Sequence, residues 1–123
     1  MVVVDASAIA AILFGEPEGP TLAAHLQDET LLAPGLLDFE LMHVAVKKVE
    51  RQPEAQAQIM LTLQAVSSLP IARIAVPAAA VFTLARETGL TAYDACYLWL
   101  ARSRDAELVT LDRILARASS DQT

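Results

Sequence analysis

The chain has 123 residues, 54% hydrophobic and 20% charged, with a net charge of −6 and a single cysteine. That length makes one domain with room for a core, and the lone Cys96 excludes an internal disulfide or a cysteine-held zinc. No apolar run reaches the roughly 18 residues of a membrane span, since the longest, residues 74–85, holds Pro77 and Thr83. Val2-Val3-Val4 predicts a short strand buried on both faces, as in parallel sheets, and Asp5 ends it. An apolar helix follows over residues 8–14, and Gly15-Glu16-Pro17 breaks it. Residues 18–27 predict a second helix, 31–33 a second strand stopped by Pro34-Gly35, and 36–51 a long helix. Pro53 suits the first turn of a helix reaching residue 69. Pro70 opens a strand over 71–74, and a helix from Pro77 ends at Gly89. Thr91 can cap a helix to Arg104, residues 107–110 form a last strand, and 112–118 a last helix, with 119–123 a frayed end. The order β-α-α-β-α-α-β-α-α-β-α implies a parallel sheet with helices on both faces.

The first residues have no basic segment, and Asp5 interrupts what an export signal would keep apolar, so a cytoplasmic location is expected. The apolar excess suggests a buried sheet and a self-association surface. Charge is unevenly placed. Residues 1–46 hold seven acids and no Lys or Arg, whereas the remainder holds nine basic residues against eight acids, giving −7 and +1. This asymmetry fits an acidic metal-binding face beside a more basic substrate-holding one, and equally the scatter of a small chain.

Four acids stand beside apolar segments. Asp5 and Asp112 each follow a strand and sit at the edge of a parallel sheet where ligands bind. Each also suits a helix N-cap, and the two readings are evenly matched. Glu40 lies in Leu36-Leu37-Asp38-Phe39-Glu40-Leu41-Met42-His43-Val44, a helix with little polar face, so its partial burial is expected. Asp38, in the first turn, is explained by the helix dipole. Asp94 lies in an apolar helix, where a capping box with Thr91 is the plain alternative, although that box prefers Glu or Gln. No Lys or Arg lies within four positions of Asp5, Glu40 or Asp94, and Arg113 beside Asp112 points elsewhere on its helix. Buried carboxylates need a partner. A hard divalent cation, Mg²⁺ or Mn²⁺, is the natural one, and such a site suits phosphodiester chemistry. A covalent route lacks support: Cys96 reads as a small buried hydrophobe, and Ser7 has no nucleophile-elbow context. Neither a Walker loop nor a dinucleotide glycine motif is present.

The ordered set Val2-Val3-Val4-Asp5-Ala6-Ser7-Ala8, Pro34-Gly35-Leu36-Leu37-Asp38-Phe39-Glu40, Leu90-Thr91-Ala92-Tyr93-Asp94-Ala95-Cys96-Tyr97-Leu98 and Leu108-Val109-Thr110-Leu111-Asp112 resembles the PIN-domain ribonucleases, most closely VapC-type toxins of bacterial toxin–antitoxin pairs. The resemblance spans nearly the whole chain and implies a three-layer α/β/α sandwich with a central, mostly parallel sheet, one domain over residues 1–123. It further implies an endoribonuclease dependent on Mg²⁺ or Mn²⁺, with Asp5, Glu40, Asp94 and Asp112 as the acidic quartet and Ser7 and Thr110 as supporting hydroxyls. A homodimer, a cognate antitoxin and a structured RNA substrate such as tRNA or rRNA are implied partners, and no membrane is. Two departures stand out. His43 occupies a position where the family more often has Asn, and a supporting or packing role is favoured over metal ligation. The family commonly has a further short strand after the last helix, which this sequence does not supply.

Lys47, Lys48, Arg51, Arg102, Arg104, Arg113 and Arg117 are candidates to hold RNA phosphates, and a solvated helix face explains them equally well. Tyr97 and Trp99 suit core or dimer contacts better than base stacking. Two rivals were weighed. A haloacid-dehalogenase-type phosphatase needs an Asp two residues after Asp5, where Ser7 stands. A catalytically silent PIN-like module that only holds a partner would show a broken quartet, and the quartet is intact.

Overall fold

The computed structural model of the chain describes residues 1–121. Its centre is β1 (Val2–Val4), whose three valines are 2%, 0% and 0% exposed. Each valine buried in this way contributes roughly 1.5–3 kcal/mol relative to exposure, which is why the strand tolerates no polar face. β1 is flanked by β2 (Leu31–Pro34) and β4 (Glu107–Val109), and β3 (Ile71–Ile74) lies beyond β2. The order is β3-β2-β1-β4 and every pairing is parallel.

Seven α-helices connect the strands: α1 (Ala6–Leu13), α2 (Gly19–Leu26), α3 (Leu36–Arg51), α4 (Gln56–Gln64), α5 (Ala78–Thr88), α6 (Ala92–Ser103) and α7 (Arg113–Ser120). The first two crossovers step one way along the sheet and the third steps back. Right-handed connections therefore place α1–α4 on one face and α5–α6 on the other. The packing agrees: α1 lies on α2 and α3, while α6 lies on α5, α7 and strands β1, β2 and β4. The result is the expected three-layer α/β/α sandwich. The strand order reverses between β1 and β4, and open α/β sheets bind ligands at that crevice.

Gly19 allows α2 to reach α1, because a Cβ there would stand 2.7 Å from Ala11 O. Gly89 closes α5 in the left-handed region at φ 76, as anticipated.

The boundaries corrected most are those of the fourth helix. Instead of one helix over residues 53–69, a 3₁₀ turn (Pro53–Ala55) precedes α4 and another (Ala65–Ser68) follows it. Ser67 and Ser68 are weak helix formers that suit a tightened last turn, and Leu69, ahead of Pro70, is extended at φ −71, ψ 139. At the other end of the chain, α7 runs to Ser120, so residues 119–120 are helical rather than frayed, while 122 and 123 lie outside the described residues. No helix among the described residues is long and apolar enough to cross a membrane.

Candidate active site

Asp5 and the turn after β4 meet at the β1–β4 crevice. Asp5 caps α1, its Oδ1 accepting from Ala8 N at 3.0 Å, and yet it is only 6% exposed. The N-cap reading of this residue is borne out, and its burial is more than a cap requires. Ser7 Oγ donates to Oδ1 at 2.7 Å, and Thr110 Oγ1 donates to Oδ2 at 2.5 Å. Each hydroxyl is oriented by a backbone donor from the β4–α7 turn: Leu111 N reaches Ser7 Oγ at 2.9 Å, and Asp112 N reaches Thr110 Oγ1 at 2.9 Å. A carboxylate oxygen has two lone pairs. Oδ1 is filled by two donors, and Oδ2 keeps one acceptor position.

Three further acids come from three other elements. Glu40, half-buried on α3, accepts a hydrogen bond at Oε1 from the Tyr97 hydroxyl at 2.5 Å. Asp94 sits in the first turn of α6, where Thr91 caps its backbone N–H at 3.0 Å. The reciprocal bond of a capping box is not formed among the described residues, so the Asp94 carboxylate is left for another use. Asp112 caps α7 through Oδ1, which accepts from Leu115 N at 3.0 Å.

The four carboxylates act on one another through their charge. Burial pushes the Asp5 carboxyl above its ordinary range against the pull of its hydrogen bonds, and the charge of Asp112 adds to the rise. Glu40 is raised by burial, then by Asp5 and Asp94, with the Tyr97 bond opposing. Asp94 is raised by burial, then by Asp112 and Asp5. None of the four pairs with a Lys, Arg or His among the described residues. Oxygen-only donors that repel one another and lack a protein cation fit a hard divalent ion. No three His, Cys, Asp or Glu side chains among the described residues form a ready-made cage. Mg²⁺, which keeps most of its waters and takes one or two carboxylates directly, does not require one.

Other candidates separate from the site. Asp38 is gripped by Arg73 of β3, with Nη2–Oδ1 at 2.9 Å and Nε–Oδ2 at 3.3 Å. Its role is thus a specific ion pair as well as the dipole contact expected of it. Lys48 pairs with Glu16 at 2.8 Å and lies over the Phe14 ring, and Lys47 pairs with Glu50 at 3.4 Å, so both have structural partners. Arg51, Arg102, Arg104, Arg113 and Arg117 are exposed and form no ion pair among the described residues. His43 is exposed and bonds to no site residue, rather than packing. Cys96 is half-buried, not fully buried, and burial followed by the Glu40 charge pushes its thiol up, which disfavours a thiolate nucleophile.

The Tyr97 hydroxyl was missed from sequence. Tyr97 was correctly placed in the core at 1% exposed, but its polar end lies on the acidic site. The available signal was its spacing, three residues after Asp94 and so on the same side of α6.

The fold is that of a PIN domain. The sequence matches the PIN domain over residues 2–120, and the chain belongs to that family. Ribonuclease VapC12 of Mycobacterium tuberculosis, in strains CDC 1551 / Oshkosh and H37Rv, is 28% identical over 118 residues, covering 96% of this chain and 92% of its own. The crystal structure of PAE2754 from Pyrobaculum aerophilum superposes with a TM-score of 0.78 at 28% identity, covering 99% of this chain and 87% of that one.

Proposed function

We propose that this chain is a divalent-ion-dependent endoribonuclease, the toxin of a toxin–antitoxin pair, acting on structured RNA such as tRNA or rRNA. What supports this reading is that Asp5, Glu40, Asp94 and Asp112, from four elements, influence one another's charge and pair with no Lys, Arg or His among the described residues. The relationship to a VapC ribonuclease over nearly the whole chain supports the substrate class.

Asp5, Glu40, Asp94 and Asp112 hold Mg²⁺ or Mn²⁺ and make up the catalytic centre. Such an ion, when bound, lowers the pKa of a water and neutralises charge developing on phosphodiester oxygens. Ser7 and Thr110 fix the Asp5 carboxylate, leaving one acceptor position on Oδ2. Asp94, whose carboxylate accepts no hydrogen bond among the described residues, is open to a ligand or water. Arg102 on α6, Arg104 just after it, and Arg113 and Arg117 on α7, the helix that Asp112 caps, contact RNA phosphates. The protein works in the cytoplasm as a homodimer silenced by a cognate antitoxin. Exposed Phe39, Met42 and Val46 on α3 and Met60 and Leu61 on α4 support contact with a second copy.

Incubation of total cellular RNA with the purified chain tests the proposal, with Mn²⁺, with EDTA, and with Asp5→Asn in place of the wild type. Discrete new bands that need Mn²⁺ and vanish in the variant are expected. No cleavage under any of these conditions would favour a silent PIN-like module that holds a partner.

A further inference from the structure

Glu40 differs from the other three acids in how it is held. Asp5 and Asp112 are fixed by the backbone amides they cap, and Asp94 is a short side chain on a capped first turn. Glu40 is one methylene longer and emerges from the first half of α3 with three side-chain torsions, each with several rotamers. Left alone, such a side chain spreads its carboxylate over several positions. Here one contact removes that freedom. The Tyr97 hydroxyl donates to Oε1 at 2.5 Å, and it is the one side-chain hydrogen bond of Glu40 among the described residues.

Tyr97 is well built as an anchor. Its ring is 1% exposed and lies in the main core, so the hydroxyl has little room to follow a moving partner. Two torsions and a planar ring make it stiffer than the side chain it holds. Tyr97 also stands three residues after Asp94 on α6, on the same side of the helix. One helix therefore supplies both an acid of the site and the tether for another acid on α3, in the opposite helical layer.

We infer that Tyr97 is a positioning residue: by anchoring Oε1 it sets Glu40 at a fixed place relative to Asp94, where its free oxygen would be available to a divalent ion. This rests on the proposed metal-dependent function. The contrasting view is that Tyr97 is core filling whose hydroxyl needs some acceptor, Glu40 being the nearest. The two views differ in what loss of the hydroxyl changes. Loss of a positioning bond weakens the ion site, whereas loss of a packing bond alters folding alone.

The test compares wild type, Tyr97→Phe, Glu40→Gln and the double variant, titrated with Mn²⁺ by calorimetry and assayed for RNA cleavage across Mn²⁺ concentrations. Tyr97→Phe is expected to weaken Mn²⁺ binding about tenfold, the usual effect of removing a partner of a metal ligand. The Mn²⁺ concentration for half-maximal cleavage rises in parallel, and saturating Mn²⁺ restores most of the rate. In the Glu40→Gln background the same change alters Mn²⁺ binding by less than about twofold, since Tyr97 acts through Glu40. Wild-type Mn²⁺ affinity in Tyr97→Phe, or an equal loss in both backgrounds, overturns the inference while leaving the nuclease reading intact. A wild-type chain that neither binds Mn²⁺ nor cleaves RNA overturns both. Should Tyr97→Phe fail to fold, tyrosine ¹³Cζ resonances of the wild type take its place, with the two tyrosines assigned through Tyr93→Phe. The Tyr97 line is then expected to move with Mg²⁺ at the half-saturation of binding, and a static line overturns the inference.

Discussion

Thr110 Oγ1 donates to Asp5 Oδ2 across 2.5 Å, joining the ends of two adjacent strands that are 105 residues apart in the chain. The same hydroxyl accepts from Asp112 N, so a single side chain orients the buried acid and begins the turn that carries the exposed one. Structure and site are the same feature at this point.

Thr110→Val keeps the shape of the side chain and removes both bonds. It is expected to destabilise the metal-free protein by about 1–3 kcal/mol, the range for leaving a buried carboxylate short of a donor. Urea unfolding in EDTA measures this. An unchanged midpoint would mean that Ser7 and Ala8 alone satisfy Asp5.

Stability of the metal-free protein should depend on pH in an unusual direction. Asp5, Glu40 and Asp94 all have folded-state pKa values raised above their ordinary 3.8, 4.5 and 3.8. Between those values and the raised ones, the folded state holds more protons than the unfolded state, so stability falls as pH rises. Their favourable contribution is complete below the ordinary carboxylate range and lost above the raised values. In EDTA, the melting temperature is expected to rise as pH is lowered from above the raised values towards the ordinary carboxylate range. A flat or opposite trend that persists in Asp94→Asn would place the controlling groups elsewhere.

Divalent ions relieve the same repulsion. At a hundredfold excess over Kd, Mn²⁺ or Mg²⁺ stabilises the fold by about 2.7 kcal/mol, seen as a rise of several degrees in melting temperature. Asp94→Asn should raise the melting temperature in EDTA, flatten the Mn²⁺ response and reduce cleavage about a hundredfold or more. Thermal scans in EDTA and across Mn²⁺ concentrations, with a cleavage assay, read all three.

Asp38 provides the contrast. Asp38→Asn breaks a two-point contact with Arg73, which also donates to Ile71 O at 2.7 Å and Val66 O at 3.2 Å. A loss of about 1 kcal/mol is expected for this partly exposed pair, with RNA cleavage unchanged. Cleavage that falls with Asp38→Asn at full stability would move Asp38 into the site.

Much of this molecule is legible in its sequence because its signals are local. Val2–Val4 declares a buried strand by β-branching, and Thr91, Asp112 and Gly89 mark helix ends by chemistry that needs only their neighbours. Asp5, Glu40, Asp94 and Asp112 stand out as acids beside apolar segments, although capping alone offers a reason for three of them. Contacts between distant elements stayed hidden. Arg73 meets Asp38 across 35 residues and Tyr97 meets Glu40 across 57, and no local pattern encodes either pairing. The fourth helix is shorter than its composition allows, because 3₁₀ turns at Pro53–Ala55 and Ala65–Ser68 take its two ends.

Anomalous diffraction from crystals of the chain grown with Mn²⁺ would locate the ion directly. The prediction is a peak among the carboxylates of Asp5, Glu40, Asp94 and Asp112 that is lost in Asp94→Asn. Ordered Mn²⁺ found only at other positions, with these four acids unliganded, would contradict the single shared site on which the proposed nuclease depends.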